Sequence, residues 1–141
     1  MSTSGPIIIV EDDQDDKELF TDISREIGID NKLIWFDNAE DAFAYLQITD
    51  DAPFMIFSDV DMPRLNGLQF KKKIDNDERL RRKGIPFVFF TNGATQNVVD
   101  NAYFTMTVQG FFVKENNYNE MKLLLKSVYY YWKHCKLPNS A

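Results

Sequence analysis

Cysteine and histidine are almost missing from these 141 residues; Cys135 and His134 are the sole examples, side by side near the C-terminal end. One cysteine excludes an internal disulfide and a multi-cysteine zinc site. One histidine excludes a two-histidine metal centre, and a Cys/His hydrolase would have to be assembled from adjacent residues. Positive charge is also scarce. Sixteen Lys and Arg face 22 Asp and Glu, a net charge of −6, which argues against broad nucleic-acid binding and so against DNA as a partner. No apolar run approaches the roughly 18 residues of a membrane span. The opening MSTSGP lacks the basic stretch and apolar core of a signal peptide. No repeat, no Pro- or Ser-rich linker and no composition break marks a second domain. These absences leave a soluble chain of a reducing compartment, with the cytoplasm as its expected location and no membrane partner.

Hydrophobic residues make up 44% of the sequence and charged residues 27%, a globular balance at a length close to one domain. A single domain over residues 1–141 is expected, with a core from about residue 7 to 134 and a loose tail, Leu137–Ala141. Five short apolar runs recur at intervals: Ile7–Val10, Leu33–Phe36, Phe54–Phe57, Pro86–Phe90 and Phe111–Val113. They are continuous, as buried parallel strands are. The segments between them carry helical stripes. Leu19, Phe20, Ile23 and Ile27 share one face, stopped by Gly28. Asn38 can cap a helix with Ala39, Ala42, Phe43 and Leu46. A third helix runs from Leu68 to Leu80 and ends near Gly84. Val99, Tyr103 and Met106 mark a weaker one, and Met121, Leu124, Leu125, Val128 and Trp132 the clearest. Five alternations of strand and helix predict an α/β fold, an open parallel sheet with helices on both faces.

Ligands of such sheets bind beyond the carboxyl ends of the strands. Glu11, Asp12 and Asp13 follow the first run, Ser58, Asp59 and Asp61 the third, Thr91 and Asn92 the fourth, Lys114 and Glu115 the fifth. Glu11, Asp12 and Asp59 would repel one another unless a cation joined them, and Mg²⁺ suits carboxylates, waters and phosphate oxygens. A carboxylate beside Mg²⁺ can attack a phosphoryl group and hold it as an acyl phosphate. Lys114 can neutralise one phosphoryl oxygen and Thr91 can hydrogen-bond another. Asp13 reads better as a helix cap than as a ligand. Asp15 and Asp16 read as acidic residues favoured at a helix N-terminus. Arg79, Arg81, Arg82 and Lys83 read as a solvated helix end that complements its dipole. Tyr129 to Trp132 cannot all face one core, because successive helical residues turn by about 100°. EDDQDDKEL lacks the sixth-position glycine of an EF-hand loop.

IIIVEDD, FMIFSDVDMPRLNG, IPFVFFTNG and GFFVK, in this order and spacing, resemble the receiver domain of two-component response regulators. ERLRRKGIP and YYYWKHCKLP further resemble the single-domain regulators that partner bacterial phytochromes. The resemblance implies a flavodoxin-like, doubly wound five-stranded parallel sheet of order 2-1-3-4-5. It implies that Asp59 accepts a phosphoryl group from a sensor histidine kinase, of phytochrome type, or from a phosphotransfer protein, with Mg²⁺ as cofactor. Asp12 and Asp59 would hold the metal directly, Glu11 through a water and Asp61 through its backbone carbonyl. Lys114 would contact the phosphoryl group, Thr91 and Phe111 would be the switch residues, and Gly67 would fit a tight turn. The chain would be a signalling protein and not an enzyme, though one that promotes its own phosphoryl transfer and slow autodephosphorylation. A surface change would then reach a downstream protein or a second copy of the chain in a homodimer.

Asn92 stands where that family usually has a very small residue, and Glu115 where it usually has proline. A non-proline cis bond costs about 2.5–4 kcal/mol, so the Lys114–Glu115 bond is expected to be trans with Lys114 still reaching the site. Two alternatives use the same residues. A haloacid dehalogenase-like aspartyl-phosphate hydrolase would explain Asp59-Val60-Asp61 and FFTN, but it lacks a downstream acidic pair and leaves Glu11 and Asp12 idle. A receiver-like interaction module that is never phosphorylated would not need the acidic and lysine set.

Overall fold

The computed structural model describes residues 2–93, 95–105 and 108–138. Five strands, β1 (Ile7–Val10), β2 (Leu33–Phe36), β3 (Met55–Ser58), β4 (Phe87–Thr91) and β5 (Gly110–Val113), form one sheet of order β2-β1-β3-β4-β5. Every pairing is parallel. Around the sheet lie α1 (Gln14–Glu26), α2 (Ala39–Ile48), α3 (Gly67–Asn76), α4 (Glu78–Lys83), α5 (Gln96–Thr105) and α6 (Tyr118–His134). The fold class and strand order are those expected.

Strand residues alternate between two apolar clusters. Ile7, Ile9, Met55, Phe57, Val88 and Phe90 face α1 and α6, where they meet Phe20, Ile23, Met121, Leu125 and Tyr129. Ile8, Val10, Ile56, Phe87 and Phe89 face the other four helices, where they meet Leu46, Phe70, Ile74, Leu80 and Ala102. The strands are almost wholly apolar because both faces are covered; Ser58 and Thr91, each the last residue of its strand, are the polar exceptions. The chain leaves β1 toward β2 on one side and all later crossovers return on the other, as the right-handed crossover rule requires. The order therefore reverses between β1 and β3, and a crevice opens at their carboxyl ends.

Local signals set the helix ends. The Asp13 side chain caps α1 and Asn38 caps α2. Gly28 takes a φ of +81° just past α1, a conformation that suits a residue without a Cβ. The third predicted helix is instead two, α3 and α4. Asp77 ends α3 in an extended conformation and its carboxylate accepts the Leu80 N–H at 3.0 Å, starting α4.

Two further expectations are corrected. Arg79 stands in the first turn of α4 and not at the helix end whose dipole it was expected to complement. Its guanidinium donates to the carbonyls of Leu46 (3.2 Å), Gln47 (2.9 Å) and Thr49 (2.7 Å), closing the open end of α2. Leu137 is buried in the α1/α6 cluster and is no part of a loose tail. Gly67 sits in the tight turn expected of it, its N–H donating to the Val60 carbonyl at 2.8 Å, without a positive φ. It opens α3 so close to β3 that a Cβ there would lie 2.2 Å from the Asp59 carbonyl oxygen. Met106, expected on the α5 stripe, lies outside the described residues, as does the tail beyond Pro138. Of the four consecutive aromatics, Tyr129 is buried and Tyr131 is exposed, as the helical turn demands. Asn31 sits beneath them. It accepts the Tyr129 hydroxyl at 2.6 Å and donates to the Thr3 carbonyl at 3.0 Å, which also accepts Lys133 Nζ at 2.9 Å.

Candidate functional site

Backbone pairing continues past the ends of the central strands and fixes the residues that follow. The Glu11 N–H donates to the Phe36 carbonyl at 3.0 Å, and the Asp59 N–H donates to the Val10 carbonyl at 3.0 Å. Glu11 and Asp59 are thereby held as sheet residues, although the sheet has already opened toward solvent. The Ser58 hydroxyl donates to the Asp59 carbonyl at 2.9 Å, and the Asp61 N–H donates to Asp59 Oδ1 at 3.2 Å. Asp13 is committed elsewhere. Its Oδ1 accepts the N–H groups of Asp15 at 2.9 Å and Asp16 at 3.0 Å, the capping role expected of it.

Glu11, Asp12 and Asp59 each place a carboxylate oxygen within 4.8 Å of the other two. Glu11 and Asp59 are buried, while Asp12 faces solvent. Burial pushes the Glu11 carboxyl up to about 7; its bond to Lys114 opposes the rise and the nearby Asp59 charge adds to it. Three carboxylates at this spacing, two of them out of water, fit a hard divalent cation that takes oxygen ligands.

Lys114 follows β5, and its N–H donates to the Thr91 carbonyl at 2.7 Å, extending the β4–β5 ladder by one bond. Its ammonium reaches back across the crevice to Glu11 Oε1, to Asp16 Oδ2 at 2.8 Å and to Asp59 Oδ2 at 3.2 Å. Burial alone would lower the Lys114 pKa, but the bonds from Asp16 and Glu11 and the charges of Glu11 and Asp59 outweigh it and raise it above the ordinary lysine value. Asp16 is the residue that reading the sequence missed. Its place in the first turn of α1 looked like dipole complementation, yet its carboxylate is a partner of the site lysine.

Thr91 is buried at the end of β4, and its hydroxyl donates to the Gly93 carbonyl at 3.1 Å. Phe111 is half-buried in β5, its ring 5.3 Å from that of Phe89. Asn92 and Glu115 are exposed at the mouth of a cavity of about 160 Å³. Its polar end carries Glu11, Asp59 and Lys114, and Phe20, Trp35 and Phe90 are among the residues lining its apolar end. Among the described residues no peptide bond is cis, so the Lys114–Glu115 bond is trans and the lysine reaches the carboxylates without it.

The profile of the Response regulator receiver domain matches residues 7–126. The "Probable methanogenesis regulatory protein FilR2" of Methanothrix harundinacea is 24% identical over 130 residues, spanning 89% of this chain and 82% of its own. "Response regulator Rcp1" of Synechocystis is 24% identical over 131 residues, spanning 89% and 87%. The Mn²⁺-bound structure of Rcp1 superposes with a TM-score of 0.82, covering 95% of this chain and 99% of its own. The phosphorylated cyanobacterial phytochrome response regulator RcpA superposes with a TM-score of 0.85 at 21% identity, covering 96% and 99%.

Proposed function

Because the chain belongs to the response regulator receiver family, we propose that Asp59 is its phosphoacceptor and that Glu11, Asp12, Lys114 and Thr91 carry the transfer. One observation supports this most: residues from three different strand ends converge, with Glu11, Asp12 and Asp59 within 4.8 Å of one another and Lys114 bonded to two of them. Asp59 attacks with a carboxylate oxygen. An O–P bond forms as the bond from phosphorus to the donor breaks, and the donor leaves with that electron pair. Lys114 donates to a phosphoryl oxygen, and the Thr91 hydroxyl gives up Gly93 to donate to another. Asp12 and Asp59, with Glu11 through a water and the Asp61 carbonyl, would hold Mg²⁺, which would neutralise charge on carboxylates and phosphoryl oxygens. Water later hydrolyses the acyl phosphate slowly within the same site.

The donor in this reading is a sensor histidine kinase, of phytochrome type, or a phosphotransfer protein; the likeness to RcpA supports the former. Among the described residues no helix is long and apolar enough to cross a membrane, and the protein acts in the cytoplasm. The signal leaves through the face of α5, β5 and α6, to a downstream protein or a second copy. Phe104 of α5 (82% exposed), Val113 of β5 (53%) and Tyr131 of α6 (64%) are exposed apolar side chains of those elements. Thr91 and Phe111 link that face to Asp59.

Acetyl phosphate with Mg²⁺, followed by mass mapping, tests the central assignment. We expect one adduct, on Asp59, and its loss in Asp59→Asn. A stable adduct elsewhere, or undiminished labelling of the variant, refutes it.

A further inference from the structure

A lysine ammonium has three hydrogens to donate. In Lys114 all three are engaged, with Glu11, Asp16 and Asp59. Two of these partners belong to the carboxylate trio that fits a divalent cation. Cation and ammonium therefore draw on the same two carboxylates, and a cation held by them weakens the grip of Glu11 and Asp59 on Lys114. Asp16 is different. It stands on α1, outside the trio, and its side chain keeps about a quarter of its surface in water while the Lys114 side chain is buried. Its bond of 2.8 Å is shorter than the 3.2 Å bond to Asp59.

We propose that Asp16 is a positioning residue that anchors Lys114 from outside the metal trio, so that the ammonium can yield Glu11 and Asp59 to a divalent cation without leaving the site. The inference rests on the reading of Glu11, Asp12 and Asp59 as the cation's ligands. Without Asp16, Lys114 has only the cation's own ligands to bond, and it resists the cation's arrival. Asp16 thereby governs two things: how readily the cation binds, and whether the ammonium is still in place when a phosphoryl group needs it.

A double-mutant cycle on Mg²⁺ affinity, measured by calorimetry on the unphosphorylated chain, separates this from simple loss of a negative charge. Asp16→Ala, made in the presence of Lys114, should weaken Mg²⁺ binding roughly fivefold, the coupling typical of groups in one ion-pair network. Made in a Lys114→Met chain, the same change should alter affinity less than about twofold. A charge acting directly on the cation predicts the reverse order, because Lys114 would screen Asp16 and the larger loss would come in its absence. An equal or larger loss in the Lys114→Met background overturns the proposal. If Lys114→Met does not fold in chelator, Lys114→Gln takes its place, since it removes the charge and keeps a donor. If the parent chain binds no Mg²⁺, or Asp12→Ala binds it undiminished, it is the ligand assignment that fails, and the proposal with it.

Discussion

Glu11 is the residue whose environment is most at odds with its charge. Its carboxyl ionises near 4.5 in an unfolded chain and is pushed up to about 7 in the fold, with burial the leading cause. Between those values the folded state holds a proton that the unfolded state has released. Unfolding free energy therefore falls as pH rises across that window and levels off above it. In chelator, urea midpoints taken from pH 4.5 to 8 should decline through the window, and Glu11→Gln should flatten the decline. Parallel curves for the two proteins would refute the assignment. The same residue shows what the sequence could reveal. Glu11, Asp12, Asp59, Thr91 and Lys114 were legible as site candidates because each follows an apolar run, and the fold gathers strand ends at one edge. Asp13 was legible as a cap because its partners lie two and three residues away. Asp16 was not, because its bond to Lys114 spans 98 positions and its place in a first turn already had a sufficient local explanation.

At the scale of the element, α3 shows how a helix can seat a residue of the acidic cluster. Its first residue, Gly67, donates its N–H to the Val60 carbonyl at 2.8 Å, and the helix start lies against the backbone of Asp59. An added Cβ would lie 2.2 Å from the Asp59 carbonyl oxygen and 2.9 Å from Phe89 Cε1. Backbone cannot turn aside as a side chain can. Gly67→Ala should cost about 1–3 kcal/mol, the usual penalty of overpacking, and should lower Asp59 labelling by acetyl phosphate. Urea denaturation and the labelling yield check both; a variant unchanged in stability would refute the close approach. The break between α3 and α4 was the least legible element boundary. The apolar positions from Leu68 to Leu80 read as one stripe, and only the side chain of Asp77, bonding the Leu80 N–H, divides it.

For the whole molecule, the sheet has two edges with different surroundings. β2 and β5 each pair on one side only. Phe104 on α5, Val113 in β5 and Leu123 and Tyr131 on α6 are all more than half exposed, and Tyr131 lines a shallow groove with Phe112 of β5. An unpaired strand edge with apolar neighbours favours association. With Mg²⁺ and beryllofluoride as phosphoryl mimic, hydrogen exchange should change most across residues 98–104 and 110–113. Protection restricted to the loops carrying Glu11, Asp59 and Thr91 would refute transmission to that face. Fold class and strand number were readable from periodicity, because burial on both faces leaves five uninterrupted apolar runs. The apolar edge at β5 was not, since exposure depends on which strands become neighbours.

The Thr3 carbonyl, which receives both Asn31 and Lys133, has a topological consequence. Residues 130 positions apart share one hydrogen bond, so the chain traces a nearly closed circuit. Strand neighbours, helix faces and the gathering of carboxylates at one rim are properties of that circuit, not of where a thread enters it. The same packing is compatible with a circularly permuted chain, spliced across this junction and opened at an exposed turn such as the one near Asp51.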